Sequence, residues 1–213
     1  YTVLRLTNKA IISSKTKEEL LDSICEIAVT HGGFSMAWIG IIDGYDVLPV
    51  SSAGDIHGYL NNIIVRVDES EYAKGPVGVS AKSGQVAFVN NVETNQNFAP
   101  WRPAAVRCGY KSLAVIPIMQ NDHCVGVFGI YSDQEDAFDT QILELLSSLG
   151  DDINSVLAHI QTEEKRLIAE AKLQQLYLAI EQSKSAIAIS DTEGLVEYVN
   201  PYYEKLTGYN EDE

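Results

Sequence analysis

The stretch from Lys111 to Tyr131 is apolar almost throughout and is interrupted once, at Asn121-Asp122. Two strands, Lys111 to Met119 and Cys124 to Tyr131, joined by a turn at those two residues, satisfy that pattern, and they make the strongest hairpin signal in the chain. Ser35 to Asp43 reads as a further strand. Met36, Trp38, Gly40 and Ile42 fall on one of its faces and Ala37, Ile39 and Ile41 on the other, so it is expected to be buried on both sides. Asp43-Gly44 signals a turn, after which Asp46 to Ala53 can return as the antiparallel partner.

Helical periodicity flanks these strands. Thr16 followed by Glu19 forms a capping-box pattern, Leu20, Leu21, Ile24, Ile27 and Ala28 recur at helical spacing, and Gly32-Gly33 ends the run. A helix over about 16–31 follows. Asp139 precedes a second stripe, Ile142, Leu145, Leu146, Leu149, Ile153, Val156, Leu157 and Ile160, so it is predicted to cap a helix there. Gly150 lies inside that helix at a cost of about 1 kcal/mol against Ala. Between these landmarks residues 54–110 are irregular, with a short helix near Val79 to Lys82, a short strand at Val86 to Val89, and a polar loop from Asn90 to Pro103 carrying Phe98, Pro100 and Trp101. Long loops in compact domains are often functional.

Beyond Ile160 the helical pattern continues but turns polar to about Gln182, with Leu173, Leu176 and Ile180 as a short seam of coiled-coil spacing. That segment reads either as a solvated linker or as a signalling helix that dimerises. Ala186 to Ser190 and Leu195 to Val199 then form a hairpin pattern, and Asn200-Pro201 opens a short helix.

Charge and cysteine content narrow the function classes. With 15 Lys+Arg against 30 Asp+Glu, a net charge of −15, the chain repels phosphate backbones and anionic lipid surfaces, which argues against nucleic-acid or membrane-surface binding. An apolar fraction of 46% is enough to fill a core. No apolar run approaches the roughly 18 residues of a membrane span, and the first residues lack a secretory-signal pattern. Cys25, Cys108 and Cys124 are an odd, widely spaced set without CxxC, which suggests neither a disulfide framework nor a zinc site. If Cys124 faces Ile118 across the hairpin, up to about 33 Å of extended chain separates that point from Cys108, and the two are not expected to be bridged. A reducing cytoplasm is the expected setting. The start at Tyr1 and the polar end suggest a piece of a longer protein.

Two family resemblances organise these elements. GPVGVSAKSGQ (75–85), FAPWRPAAVRCGYKSLAVIPI (98–118), VGVFGIYS (125–132) and AFDTQILELLSSLGDDI (137–153) resemble, in order and spacing, the GAF domains of bacterial sensor kinases and cyclic-di-nucleotide enzymes. The resemblance implies an α/β fold of the α+β kind. A central antiparallel sheet would carry helices on both faces, a small-molecule pocket on one face, and dimerisation through the first and last helices. SDTEGLVEYVNPYYEKLTGYNEDE (190–213) resembles the start of a PAS domain through Asp191, Gly194, Asn200, Pro201, Tyr203, Thr207, Gly208 and Tyr209. The later strands of that family are absent, so no PAS ligand residues are carried over. The expected organisation is a GAF domain over 1–160, a helical signalling linker over 161–183, and an N-terminal portion of a PAS domain over 184–213.

Departures from the better-known GAF subfamilies exclude specific chemistries. Pro100 and Trp101 stand where bilin-binding relatives carry Cys-His, so a covalent bilin is not expected. The cyclic-nucleotide signature cannot be placed in order, which leaves cGMP or cAMP unsupported. Free methionine sulfoxide reductase, the enzyme of the family, uses a thiolate and resolving cysteines. Cys108 lies near one such position, but Val77 stands where its partner is expected. His31, His57, His123 and His159 have no metal-ligand spacing and Asp151-Asp152 point to different faces of a helix, so no catalytic residue and no metal site is expected.

A ligand would instead meet large aromatic and basic groups. Trp38, Phe98, Trp101, Arg102, Arg107 and Tyr110 are the candidate ligand-binding residues, the arginines for an anion and the tryptophans for stacking. The competing reading is core packing for Trp38 and Phe98 and surface solvation for Arg102 and Arg107. The expected function is a non-enzymatic regulatory module. It would bind a small effector, dimerise through its terminal helices, and relay to a histidine kinase or a diguanylate cyclase or phosphodiesterase output, within two-component or cyclic-di-GMP signalling. A thiol-dependent reductase and a ligand-free dimerisation module are the alternatives.

Overall fold

The computed structural model describes residues 16–55 and 57–209, which fall into two compact units divided after Ile160. In the first unit, helix α1 (Lys17–Thr30) starts at Thr16, whose hydroxyl accepts the Glu19 N–H at 3.2 Å. Strands β1 (Met36–Asp43) and β2 (Asp46–Ala53) follow. Helix α2 (Pro76–Ser83), strand β3 (Ala87–Val89) and helix α3 (Arg102–Arg107) occupy the irregular middle. The predicted hairpin is β4 (Ser112–Gln120) and β5 (His123–Ser132). Its turn residues Asn121 and Asp122 both have positive φ, 48° and 62°, as a two-residue primed turn demands.

These strands form one antiparallel sheet in the order β2-β1-β5-β4-β3. Its alternation is the reason for two separate cores. Ala37, Ile39, Ala114, Ile116, Phe128 and Ile130 project to one face, against Leu20, Leu21 and Ile24 of α1 and Leu146, Leu149 and Ile153 of the last helix. Met36, Trp38, Leu113, Val115, Val127 and Tyr131 project to the other, under α2, α3 and the long loops. Helices therefore lie on both faces of the sheet, as the resemblance implies.

Helix α4 (Thr140–Glu181) runs 42 residues without a break. Asp139 caps it, accepting the Ile142 N–H at 2.8 Å. The edge strand β3 reaches only Leu113 to Val115 of its neighbour. Further along β4, Pro117 has no N–H to offer and Asn154 of α4 accepts the Met119 N–H at 2.9 Å, so the open edge is blunted. One register expectation is corrected: Cys124 pairs with Met119, while Ile118 pairs with Gly126. A bulge places Val125 as an extra residue on β5, which the period-two pattern cannot reveal.

In the second unit β6 (Ala188–Ser190) and β7 (Val196–Val199) pair antiparallel, and helix α5 (Pro201–Thr207) starts at Asn200. Among the described residues no helix is long and apolar enough to cross a membrane.

Candidate functional site

On the face of the sheet opposite α1, Trp38 lies flat on the strands. Gly129, its register partner on β5, and Gly40, two residues along β1, make this possible. A Cβ at Gly129 would stand 2.3 Å from the Trp38 Nε1, and one at Gly40 would stand 2.6 Å from the six-membered ring. Tyr131 follows Gly129 on the same face. Tyr110 reaches the same region because Gly109, at φ 78°, reverses the chain after α3. Tyr59 arrives from the long loop, where the Asp55 carboxylate accepts the N–H groups of Tyr59 at 2.6 Å and Leu60 at 3.2 Å.

The three tyrosines form a triangle with ring centroids 5.1 to 5.3 Å apart, each pair tilted or edge-on. Such contacts add about 0.5–1.5 kcal/mol per pair beyond area burial. Trp101 closes the cluster. It lies 5.6 Å from Phe98 between centroids, donates its Nε1–H to the Ile64 carbonyl at 2.7 Å, and fits only because Gly75 has no Cβ, which would sit 2.4 Å from the ring.

This arrangement leaves a cavity of about 10 Å³ among Val65, Val77, Phe98, Trp101, Leu113 and Tyr131, among others. It is filled by side chains and has room for at most a single water. Beside it, the Trp38 Nε1–H and the Tyr59 hydroxyl are buried with no well-formed hydrogen bond among the described residues, although both stand close enough to the Tyr131 hydroxyl to act on its ionisation. An unsatisfied buried polar group costs roughly 1–3 kcal/mol. Burial pushes Tyr131 up to about 12, and Tyr59 and Tyr110 are raised as well, by burial first. The Asp55 carboxylate adds to the rise at Tyr110 and Tyr131.

Of the six residues predicted from sequence, Trp38, Phe98, Trp101 and Tyr110 come together in this cluster and are buried. The two arginines do not join them. Arg102 spends its guanidinium on the loop, donating to the carbonyls of Val92 at 3.1 Å and Asn95 at 2.8 Å. Arg107 is exposed at the end of α3. Tyr131 and Tyr59 were missed. Tyr131 is recoverable from strand alternation two residues after Gly129, whereas Tyr59 lies in a loop that carries no periodic signal. A second, polar groove of about 260 Å³ lies across the sheet between Gly84, Met119, Gly150 and Asn154, and contains none of the six.

Burial governs the three thiols. Cys25, Cys108 and Cys124 are free, and burial raises each above the usual 9. At Cys108 the Arg107 charge opposes that rise and the Asp55 charge adds to it. Among the described residues no group of three or more His, Cys, Asp or Glu could hold a metal ion.

Comparison with known proteins agrees with this architecture. The profile of the GAF domain family matches residues 14–158, and that of the PAS domain family matches residues 171–213. The GAF domain of an Acinetobacter phosphoenolpyruvate-protein phosphotransferase superposes with a TM-score of 0.60 at 18% identity, covering 77% of this chain and 96% of that one. A free methionine-R-sulfoxide reductase from Neisseria meningitidis, solved with its substrate, gives 0.63 at 15% identity over 76% and 89%. Residues 122–287 of a methyl-accepting chemotaxis protein give 0.57 at 17% identity over 76% and 99%. At such identities the likeness is one of fold. No curated protein sequence matches the chain.

Proposed function

Since the chain belongs to the GAF domain family and carries a PAS-family segment after it, a pairing that marks a sensory or regulatory module, we propose that it is the effector-binding and relay portion of a bacterial, cytoplasmic signalling protein. In this reading the aromatic cluster around Trp38, Tyr59 and Tyr131 is the effector pocket. Effector binding shifts the population between two packings of the sheet and its covering helices, and α4 passes the shift toward a downstream histidine kinase or cyclic-di-GMP enzyme. The observation that carries it is the gathering of Trp38, Tyr59, Phe98, Trp101, Tyr110 and Tyr131 into one buried cluster on the sheet face opposite α1, where the resemblance to GAF domains implies a small-molecule pocket.

Dimerisation is part of the same proposal. Leu173 and Leu176 are exposed on α4 at seam spacing, at 69% and 55%, with Ile180 next in register. A second copy presenting the same stripe would cover them. Native mass spectrometry of the purified protein tests the sensor reading: a retained small molecule supports it. A strictly monomeric protein by light scattering at high concentration would count against the relay.

The reductase reading draws on the Neisseria meningitidis neighbour. It is disfavoured by the raised thiol of Cys108, because a catalytic cysteine needs its thiolate near neutral pH. Turnover of free methionine sulfoxide that disappears in Cys108→Ser would restore it.

A further inference from the structure

The polar groove of about 260 Å³ lies between the end of α2, the β4 edge and α4, and shares no residue with the aromatic cluster. That volume is below the roughly 300–1,000 Å³ of drug-sized pockets, so it suits a small molecule. The backbone N–H groups along this edge are spent. Gly84 donates to the Ser80 carbonyl at 2.9 Å, Gln85 to the Ser83 hydroxyl at 3.2 Å and Met119 to the Asn154 side chain at 2.9 Å, while Pro117 has no N–H. The side chains are not spent. Among the described residues the Gln85 amide, the Ser147 hydroxyl and the Asp151 carboxylate have no hydrogen-bond or ion-pair partner, and all three residues are exposed. None of the ten lining residues is cationic, and Lys82, in the last turn of α2, is held by Glu69 at 3.0 Å. The Asp151 carboxylate therefore stands without a counter-charge, in a chain whose net charge of −15 draws cations toward it.

We infer that the groove binds a small hydroxylated organic cation, a primary amine of amino-sugar size, whose ammonium pairs with Asp151 while its hydroxyls meet Ser147 and Gln85. An ammonium brings three donors to a carboxylate, which can only accept. A ligand hydroxyl both donates and accepts, as a serine hydroxyl and a carboxamide require of a partner. An anion would meet the Asp151 charge with no cation to offset it. Because the groove is bounded by α4 and by the β4 edge, a bound amine bridges helix and sheet on their polar side. None of this draws on the aromatic cluster, so the effector reading above stands or falls separately.

The test titrates the whole protein with glucosamine, glucose and glucuronate, followed by calorimetry and by amide NMR. The three share a ring and its hydroxyls and differ in charge. Glucosamine is expected to saturate one site and to move the amide resonances of Gln85, Met119 and Asp151. Glucose should bind about fivefold more weakly, the upper end for losing a solvent-exposed ion pair, and glucuronate more weakly still. Asp151→Asn, at an exposed helix position, is expected to leave the urea midpoint unchanged and to bring glucosamine down to the level of glucose. Ser147→Lys places a tethered ammonium four residues before Asp151, within reach on the same helix face, and is expected to abolish glucosamine binding. Glucose binding as tightly as glucosamine, or unchanged glucosamine affinity in either variant, would overturn the assignment. Shifts confined to other parts of the chain, or no saturation by glucosamine, would overturn it as well.

Discussion

The side-chain Nδ2 of Asn200 donates to the carbonyl of Ile180 at 3.0 Å, joining the residue that opens α5 to the last turn of α4. The same fully buried amide donates to the Ser185 carbonyl at 3.0 Å and accepts the N–H groups of Ile187 at 2.9 Å and Tyr203 at 3.1 Å. Strands of three and four residues cannot hold themselves together in water, so this amide organises the second unit. Asn200→Ala removes an N-cap worth about 1 kcal/mol and strands further buried groups at roughly 1–3 kcal/mol each. Hydrogen exchange at residues 187–199 is expected to lose its protection. Tryptophan emission, which reports the first unit, should stay unchanged. Asn200→Asp keeps both acceptor contacts but loses both donors, and should fail similarly. Retained protection in either variant would show that the amide is not the organiser.

Gly150 lets α4 pass close to the sheet. A Cβ there would stand 2.6 Å from Cγ2 of Ile116, a branched and buried side chain that cannot swing away. Helix propensity alone favours Ala by about 1 kcal/mol, but overpacking costs about 1–3 kcal/mol. Gly150→Ala is therefore expected to destabilise, by up to about 2 kcal/mol in urea unfolding. Combined with Ile116→Ala the losses should be less than additive, because the second change removes the clashing methyl.

How far the sequence carried depends on the kind of signal each element has. Strands β1, β2, β4 and β5 were legible because alternation and turn residues act locally, and Asn121-Asp122 names its turn outright. The cost of Gly150 was visible, but its reason, the approach to Ile116, is a contact across elements. Tyr59 was invisible because Asp55 rather than any periodicity places it. Arg102 is the opposite case. Its type suggested an anion site, while its neighbours in the fold, the Val92 and Asn95 carbonyls, were waiting for it. The bulge at Val125 obeys no pattern in either strand.

Alkaline pH should unfold the protein through its buried acids. Burial raises Tyr131 from 10 to about 12 and Cys25 from 9 to about 12, so the folded state keeps protons that the unfolded chain has released. The stabilisation is complete below the unfolded values. It falls as pH climbs from there to the folded ones. Urea midpoints are expected to be flat from about pH 7 to 8.5 and to drop steadily above pH 9. Tyr131→Phe should reduce the slope above pH 10 without moving its onset near 9, which belongs to the thiols, Cys25 foremost. An unchanged slope in that variant would mean that other groups drive the transition.

Thiol labelling offers a separate check on whether the fold could support thiolate chemistry. Cys25 is fully buried on the inner face of α1, whereas Cys108 and Cys124 are partly exposed but also raised by burial. At pH 7.5 iodoacetamide is expected to modify Cys108 and Cys124 more slowly than free cysteine, and Cys25 only after denaturant is added. Both accessible rates should climb as pH passes 9, where their thiolates begin to form. The Asp55 charge contributes to holding Cys108 protonated, so Asp55→Asn should speed labelling at Cys108 and leave Cys124 unchanged. Labelling of Cys108 at pH 7 faster than free cysteine would reverse this assignment. It would mark that thiol as an activated nucleophile and move the reductase reading ahead of the sensor.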